Sequence, residues 1–269
     1  MMYRHFVHSY MLDPAHQLTV ALVGVGGTGS QVLTSLGRMN YALKELGHPG
    51  LHVKVYDPDI VTQANCGRQL FSPIEVGRNK AEVLVTKVNM FFGTAWENVP
   101  DVFGENTELS NIIISCVDTV KSRIAIRKAI DNAGSAWGND TRKNFYWLDF
   151  GNALNTGQVV LGTSHDLNVG KKKKKGNVGK LKCVTDIFDL SKVSDKASGP
   201  SCSLAEALSK QDLFINSTLA NIGMALLWKM FTKGVLDMQG AFLNLETMKV
   251  NPIKIEPSTS HGRKARVTK

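Results

Sequence analysis

Residues 24–30 read Gly-Val-Gly-Gly-Thr-Gly-Ser and follow directly on the apolar, β-branched run Leu18 to Val25. Glycines at 24, 26, 27 and 29 allow a tight turn and let backbone N–H groups and a helix N-terminus approach a phosphate closely. The run before the turn reads as a buried parallel strand. After it, Val32, Leu33, Leu36, Met39, Leu43 and Leu46 recur at helical spacing up to Gly47, which predicts a helix over Thr28 to Leu46. The spacing Gly24-x-Gly26-x-x-Gly29 is that of a dinucleotide-binding turn, with Ser30 opening the helix and Asp57 closing the next strand, where an acidic residue meets a ribose hydroxyl. Taken alone, this fits a nicotinamide dehydrogenase as well as an ATP-using enzyme.

The alternation continues. Strands are expected over His52 to Tyr56, Asn111 to Val117 and Phe145 to Phe150, and helices over Asn79 to Phe92 and Lys121 to Ala133. Repeats of about 30 residues imply right-handed βαβ crossovers and a parallel sheet covered on both faces. Past residue 156 the pattern changes. Gly157 to Gly162 reads as an antiparallel strand, Leu213 to Phe231 as a long amphipathic helix, and Ala241 to Leu245 and Val250 to Ile255 as late strands. The expected fold is α/β: a doubly wound, mainly parallel, Rossmann-like sheet with late antiparallel strands. A chain of 269 residues can form this as one domain. The polar stretch 165–201 is expected to be a mobile, lysine-rich excursion and 257–269 a basic tail.

Charge is unevenly placed. The formal net charge is +9, but Lys171 to Lys175, Lys180, Lys182, Arg263, Lys264, Arg266 and Lys269 carry eleven positive charges, so the body of the chain is close to neutral. Runs of this kind are usually solvated; attraction to an acidic partner or to nucleic acid is the less favoured alternative. No apolar run approaches the roughly 20 residues that span a bilayer, and Met1 to Gln17 lacks the apolar core of a signal peptide, so a cytoplasmic location without membrane attachment is expected. Cys66, Cys116, Cys183 and Cys202 form no Cys-x-x-Cys pair, which argues against structural zinc, a redox motif and a disulfide framework.

The residues after the second strand narrow the chemistry. Asp57 and Asp59 are followed by Asn65, Arg68 and Gln69, then by Lys80 at the next helix start, while Asp118 ends the third strand. Two cations and an amide beyond the carboxyl edge of the sheet suit a triphosphate; a dehydrogenase has little use for them. No histidine near the third or fourth strand supplies a proton relay for hydride chemistry. Asp118 sits where a Mg²⁺ ligand belongs, since that ion takes one or two carboxylates plus phosphate oxygens. Together with Arg68 and Lys80, such an ion would neutralise charge developing on the α-phosphate and its leaving group.

Gly-x-Gly-Gly-x-Gly-Ser, Asp-x-Asp with Asn-x-x-Arg-Gln beyond it, then Lys and Asp-x-x-x-x-Arg, resembles the ThiF, MoeB and ubiquitin-activating enzyme superfamily over about residues 18–163 and again from 213. Gly-Gly-Thr-Gly-Ser-Gln, Asn-x-Gly-Arg-Gln-Leu-Phe and Cys-Ser-Leu-Ala-Glu-Ala-Leu are most similar to the ThiF-like proteins of bacterial PRTRC plasmid cassettes. The resemblance implies an ATP- and Mg²⁺-dependent adenylyltransferase. Among its nucleotide-binding residues, which include Asp59, Asp57 would bind the ribose hydroxyls, the glycine turn with Ser30 would approach a phosphate, Asn65, Arg68, Gln69 and Lys80 would hold the phosphates, and Asp118 the metal, with Arg123 matching the arginine that follows. It also implies a small ubiquitin-like protein as substrate, a conjugating-enzyme-like partner and a homodimer. Thr119 departs from the usual Asn, and the paired zinc-binding cysteines of several relatives are missing. A carboxyl-activating enzyme acting on tRNA and a non-catalytic nucleotide-binding module are the alternatives.

Many relatives pass the activated carboxyl to a cysteine, and a reactive thiol needs a cationic or helix-N-terminal setting. Cys202, after Pro200-Ser201 and at an expected helix start, is the favoured nucleophile. Cys183 follows the lysine run, whose charge would favour a thiolate. Cys66 and Cys116 are expected to pack.

Overall fold

The computed structural model describes residues 2–133, 144–167, 176–190, 206, 208–209 and 211–257. The elements are β1 (His5–Phe6), α1 (Ser9–Leu12), β2 (Leu18–Val23), α2 (Gly27–Glu45), β3 (Leu51–Tyr56), α3 (Lys80–Phe92), β4 (Glu97–Val99), β5 (Ile112–Ser115), α4 (Val120–Ala133), β6 (Tyr146–Asn152), β7 (Thr156–Thr163), α5 (Val184–Ile187), α6 (Ile215–Lys233), β8 (Val235–Leu236), β9 (Met238–Asn244) and β10 (Lys249–Lys254). Eight strands form one sheet in the order β10-β9-β7-β6-β5-β2-β3-β4. From β4 to β6 the pairings are parallel, and from β6 to β10 antiparallel. This is the expected α/β architecture with late antiparallel strands.

Side-chain alternation divides the core. Val20 and Leu22 of β2 and Ile112 and Ile114 of β5 pack with α2, α3 and α6, whereas Ala21, Val23, Ile113 and Trp147 pack with α4 and α5. A strand buried on both faces accounts for the continuous apolar runs in the sequence. The helices end where the chain supplies stops: α3 begins at Asn79, whose side chain accepts the Glu82 N–H, and ends at left-handed Gly93; α6 ends at left-handed Gly234.

The register positions the site. Val23 lies opposite Tyr56 on β3 and Ser115 on β5, so three parallel strands end side by side. β2 continues to β3 on one side, while β5 returns on the other. That reversal makes the carboxyl edge above β2 a topological switch point, the place where ligands bind in open α/β sheets.

Some elements were not anticipated. The three-residue edge strand β4 and the two-residue β1–β8 pair are too short to produce a periodic signal. Of the excursion expected over 165–201, residues 165–167 and 176–190 are described, and the second stretch is anchored. Arg4 N–H donates to Gly176 O at 2.9 Å, Val178 N–H donates to Arg4 O at 2.8 Å, and Leu181, Cys183 and Val184 are buried. The lysine run 171–175, Cys202 and residues 258–269 lie outside the described residues.

Candidate active site

The glycine turn is shaped by close backbone approach. Gly24 has φ +83°, and a Cβ there would lie 2.9 Å from Cys116 O; a Cβ on Gly29 would lie 1.9 Å from Gly24 O. No side chain fits at Gly29, so the turn can fold back against the start of α2. Asp57 clasps this turn from the end of β3. Its Oδ2 accepts the Val25 N–H at 2.7 Å and its Oδ1 the Asp59 N–H at 2.9 Å. Burial pushes the Asp57 carboxyl up from its ordinary range, against the opposing pull of the Val25 N–H and Lys80. Ser30 is fully buried; its hydroxyl donates to Gly27 O at 3.1 Å and its N–H to Gly26 O at 3.1 Å. Both of its donors thus serve the turn itself.

The segment between β3 and α3 is laced back to the same edge. Asn79 Nδ2 donates to Asp57 O and Asp59 O, and Lys80 Nζ reaches Asp59 Oδ2 at 2.8 Å. The Lys80 side chain is 10% exposed and that of Asp59 65%. Such a half-solvated pair is weak and open to exchange with a stronger anion. Asn65 uses its Oδ1 to accept Thr62 N–H and Oγ–H, capping the 3₁₀ turn Gln63–Asn65, so its carbonyl oxygen shapes the loop.

Arg68 and Gln69 stand apart from this pattern of satisfied groups. Arg68 donates from Nη1 to Gln211 Oε1 at 2.5 Å, but among the described residues its buried Nε has no partner, nor has the buried Gln69 Oε1. The Gln69 amide lies 3.8 Å from where a Gly26 Cβ would stand, directly beside the glycine turn. Burial lowers the Arg68 pKa from its ordinary value without discharging a guanidinium. A half-buried arginine whose buried Nε is unfilled, in sequence next to Gln69 beside the glycine turn, fits an anionic group such as a nucleotide phosphate.

Asp118 is exposed beyond β5. Its setting is fixed by Arg123, which is buried and turned inward. Arg123 Nε donates to both carboxylate oxygens of Asp149 at 3.1 Å; Nη2 donates to Val117 O and Phe150 O at 2.8 Å, and Nη1 to Thr119 O at 3.4 Å. One guanidinium therefore holds the carbonyls on either side of Asp118 while its own charge is matched by Asp149. Thr119 accepts the Ser122 N–H through its Oγ1 at 3.2 Å, the N-cap arrangement, and so opens α4. Among the described residues no three His, Cys, Asp or Glu side chains cluster to hold a metal. A Mg²⁺ ion here would take Asp118 together with phosphate oxygens, a ligand set usual for that ion.

Three further polar residues join the site without having been singled out in the sequence. Thr28 Oγ1 donates to Asn216 Oδ1 at 2.9 Å, and Asn216 Nδ2 donates to Gln211 Oε1 at 3.4 Å, the oxygen that also receives Arg68. Asn216 also fills the space beside Gly27, where a Cβ would come within 2.6 Å of its Nδ2. Nothing local marks these residues, because 188 positions separate the first pair.

The expected thiolate at Cys183 is not supported by its surroundings. The thiol is 1% exposed at the start of α5, and burial, reinforced by Asp186, pushes its pKa up to about 12 against the pull of Arg127 and Lys180. Desolvation outweighs the nearby positive charge. Cys66 is buried as well, with its Sγ near Thr62 O.

The ThiF family matches residues 5–260. Over 141 residues the chain is 26% identical to ubiquitin-like modifier-activating enzyme 5 of Oryza sativa subsp. japonica, covering 44% of this chain and 31% of that protein. The same enzyme of Branchiostoma floridae is 29% identical over 137 residues, 44% of this chain and 32% of that one. The match thus spans about a third of the length of these relatives. Among solved structures, E. coli MccB aligns with TM-score 0.58 at 15% identity, over 92% of this chain and 64% of that chain. PaaA aligns with TM-score 0.56 at 16% identity, over 89% and 64%. At such identities the two show a shared fold.

Proposed function

Because this chain belongs to the ThiF family, we propose that it is an ATP- and Mg²⁺-dependent adenylyltransferase that activates the C-terminal carboxylate of a small ubiquitin-like protein. In this reading a carboxylate oxygen attacks the α-phosphorus of ATP. The bond to the bridging oxygen breaks, and pyrophosphate leaves with the electron pair, so the products are an acyl-adenylate and pyrophosphate.

The single observation that carries the reading is the buried, unfilled donor of Arg68 together with the buried, unfilled acceptor of Gln69, whose amide lies beside the glycine turn. Buried polar atoms are rarely left unpaired unless a ligand completes them. Around that point, turn N–H groups and the start of α2 would face phosphate, and Asp57 has lone pairs left for ribose hydroxyls. Arg68 and Lys80 bring positive charge to the leaving pyrophosphate, Lys80 by exchanging Asp59 for phosphate. Mg²⁺, held by Asp118, would add charge neutralisation at the phosphates. Support also comes from the relatives, which are ubiquitin-like modifier-activating enzymes, and from MccB, whose structures include complexes with ATP and with MccA.

A later transfer to Cys202 would have the thiolate attack the acyl carbon and release AMP, giving a thioester for a conjugating-enzyme-like partner. The proposed state is a homodimer in the cytoplasm. Mass spectrometry of the protein mixed with ATP, Mg²⁺ and the small ubiquitin-like proteins of its host tests the reading. An adenylated C-terminus supports it. Unmodified modifiers with unconsumed ATP would count against it.

A further inference from the structure

Arg68 has one hydrogen-bond acceptor among the described protein groups, the side-chain oxygen of Gln211, 143 residues away at the approach to α6. That oxygen is itself fixed. Asn216 Nδ2 donates to it at 3.4 Å and Asn216 Oδ1 accepts the Thr28 hydroxyl at 2.9 Å; a turned amide would set its oxygen against Gln211 Oε1, which Arg68 holds as an acceptor. Thr28 and Asn216 are 6% and 3% exposed, so this end of the chain is anchored in the core beside Gly27. The donors run in one sense from Thr28 to Asn216 to Gln211, with Arg68 arriving from the opposite side. No carboxylate takes part, so Arg68 is held without its charge being consumed.

This arrangement has a functional consequence. A long, flexible cation stabilises a developing charge well only if its orientation is set beforehand. A carboxylate would set it too, but would also neutralise it. An amide carbonyl sets it and leaves the positive charge for an anion.

We propose that Gln211, braced by Asn216 and Thr28, is the positioning residue for Arg68, holding the guanidinium with its charge available to the ATP phosphates. The inference rests on the adenylyltransferase reading and adds a residue to it. Gln211 touches no substrate; it acts through Arg68.

The test is a double-mutant cycle on the full chain, with ATP and MgCl₂ binding measured by calorimetry and melting temperature recorded alongside. Gln211→Ala should weaken ATP binding roughly three- to tenfold, an indirect effect smaller than the full loss of a hydrogen bond to a charged group, with little change in melting temperature. In an Arg68→Ala background the same substitution should change affinity by less than about twofold, since nothing remains to be positioned. Gln211→Glu, which keeps the size of the side chain, should weaken ATP binding more than alanine does, because its carboxylate competes with phosphate. An equal loss from Gln211→Ala in both backgrounds would overturn the inference while leaving the functional reading in place. So would wild-type affinity for the Gln211→Ala and Gln211→Glu proteins. Failure of the wild-type chain to bind ATP would overturn both.

Discussion

Replacing Arg123 by alanine removes the most connected polar side chain near the site. The guanidinium serves both oxygens of Asp149 and three backbone carbonyls, and Asp149 is 1% exposed. Ser115 Oγ–H also donates to Asp149 Oδ1, and Trp147 Nε1–H donates to that Ser115 oxygen, but neither brings a positive charge. The variant therefore leaves a buried carboxylate with no counter-ion, a change that typically costs about 3–5 kcal/mol. For a chain of this size that corresponds to a fall in melting temperature of roughly 10 °C. The pH dependence gives a second handle. Burial already raises the Asp149 carboxyl above its ordinary value, with Arg123 opposing the shift. A carboxyl raised in the folded state costs stability above its folded pKa, and that cost is relieved as pH falls through it. Without Arg123 the carboxyl rises further, so the gap between variant and wild type should be widest near pH 8 and narrow toward pH 5. Differential scanning calorimetry across that range reads both effects, and Arg123→Met/Asp149→Leu should recover much of the loss. A gap independent of pH, or a double variant no more stable than Arg123→Ala, would refute the assignment of Arg123 to a structural pair.

Asp118→Ala should keep the wild-type melting temperature, because the side chain is exposed, and should lower Mg²⁺-dependent pyrophosphate exchange by about 10²–10³; near wild-type exchange would remove Asp118 from the site. Lys80→Ala should reduce the saturated exchange rate more than ATP affinity, and Arg68→Ala should lower ATP affinity at least as much as Gln211→Ala does and the saturated rate by more still; weaker binding with an unchanged rate would make them ground-state anchors. Cys183, buried with its thiol pushed up to about 12, should resist iodoacetamide at pH 8 in the folded protein, and rapid alkylation there would contradict its placement. Cys202→Ser should permit adenylate formation but abolish any conjugate cleaved by reducing agents; a surviving conjugate of that kind would exclude Cys202 as the carrier.

The sequence discloses most where local physics is strong. The helices α2, α3 and α4 begin within one residue of the positions their apolar periodicity and flanking Asn79, Thr28 or Lys121 predict, and α6 within two. The gathering of Asp57, Lys80 and Asp118 along one edge also follows from strand alternation alone, because parallel strands deliver their carboxyl ends to the same side. What the sequence withholds is long-range. The identity of Arg123 does not reveal that Asp149 waits on the neighbouring strand, so an arginine matched to a family motif by spacing is spent inside the fold. Lysines near Cys183 in the chain predict a thiolate only if solvent reaches the sulfur, and burial decides otherwise. Gln211 and Asn216 become readable only when α6 is laid against the glycine turn. The likeness of Asn65 to a phosphate contact does not disclose that its oxygen also caps a turn.

Activation of a carboxylate with ATP at this edge is read out by exchange of labelled pyrophosphate into ATP. Exchange should require both Mg²⁺ and a small ubiquitin-like protein with an intact C-terminal carboxylate, and should be lost when that carboxylate is amidated. Exchange that is absent with every such protein, in a chain that calorimetry shows to bind NAD in the micromolar range and ATP not at all, would contradict it.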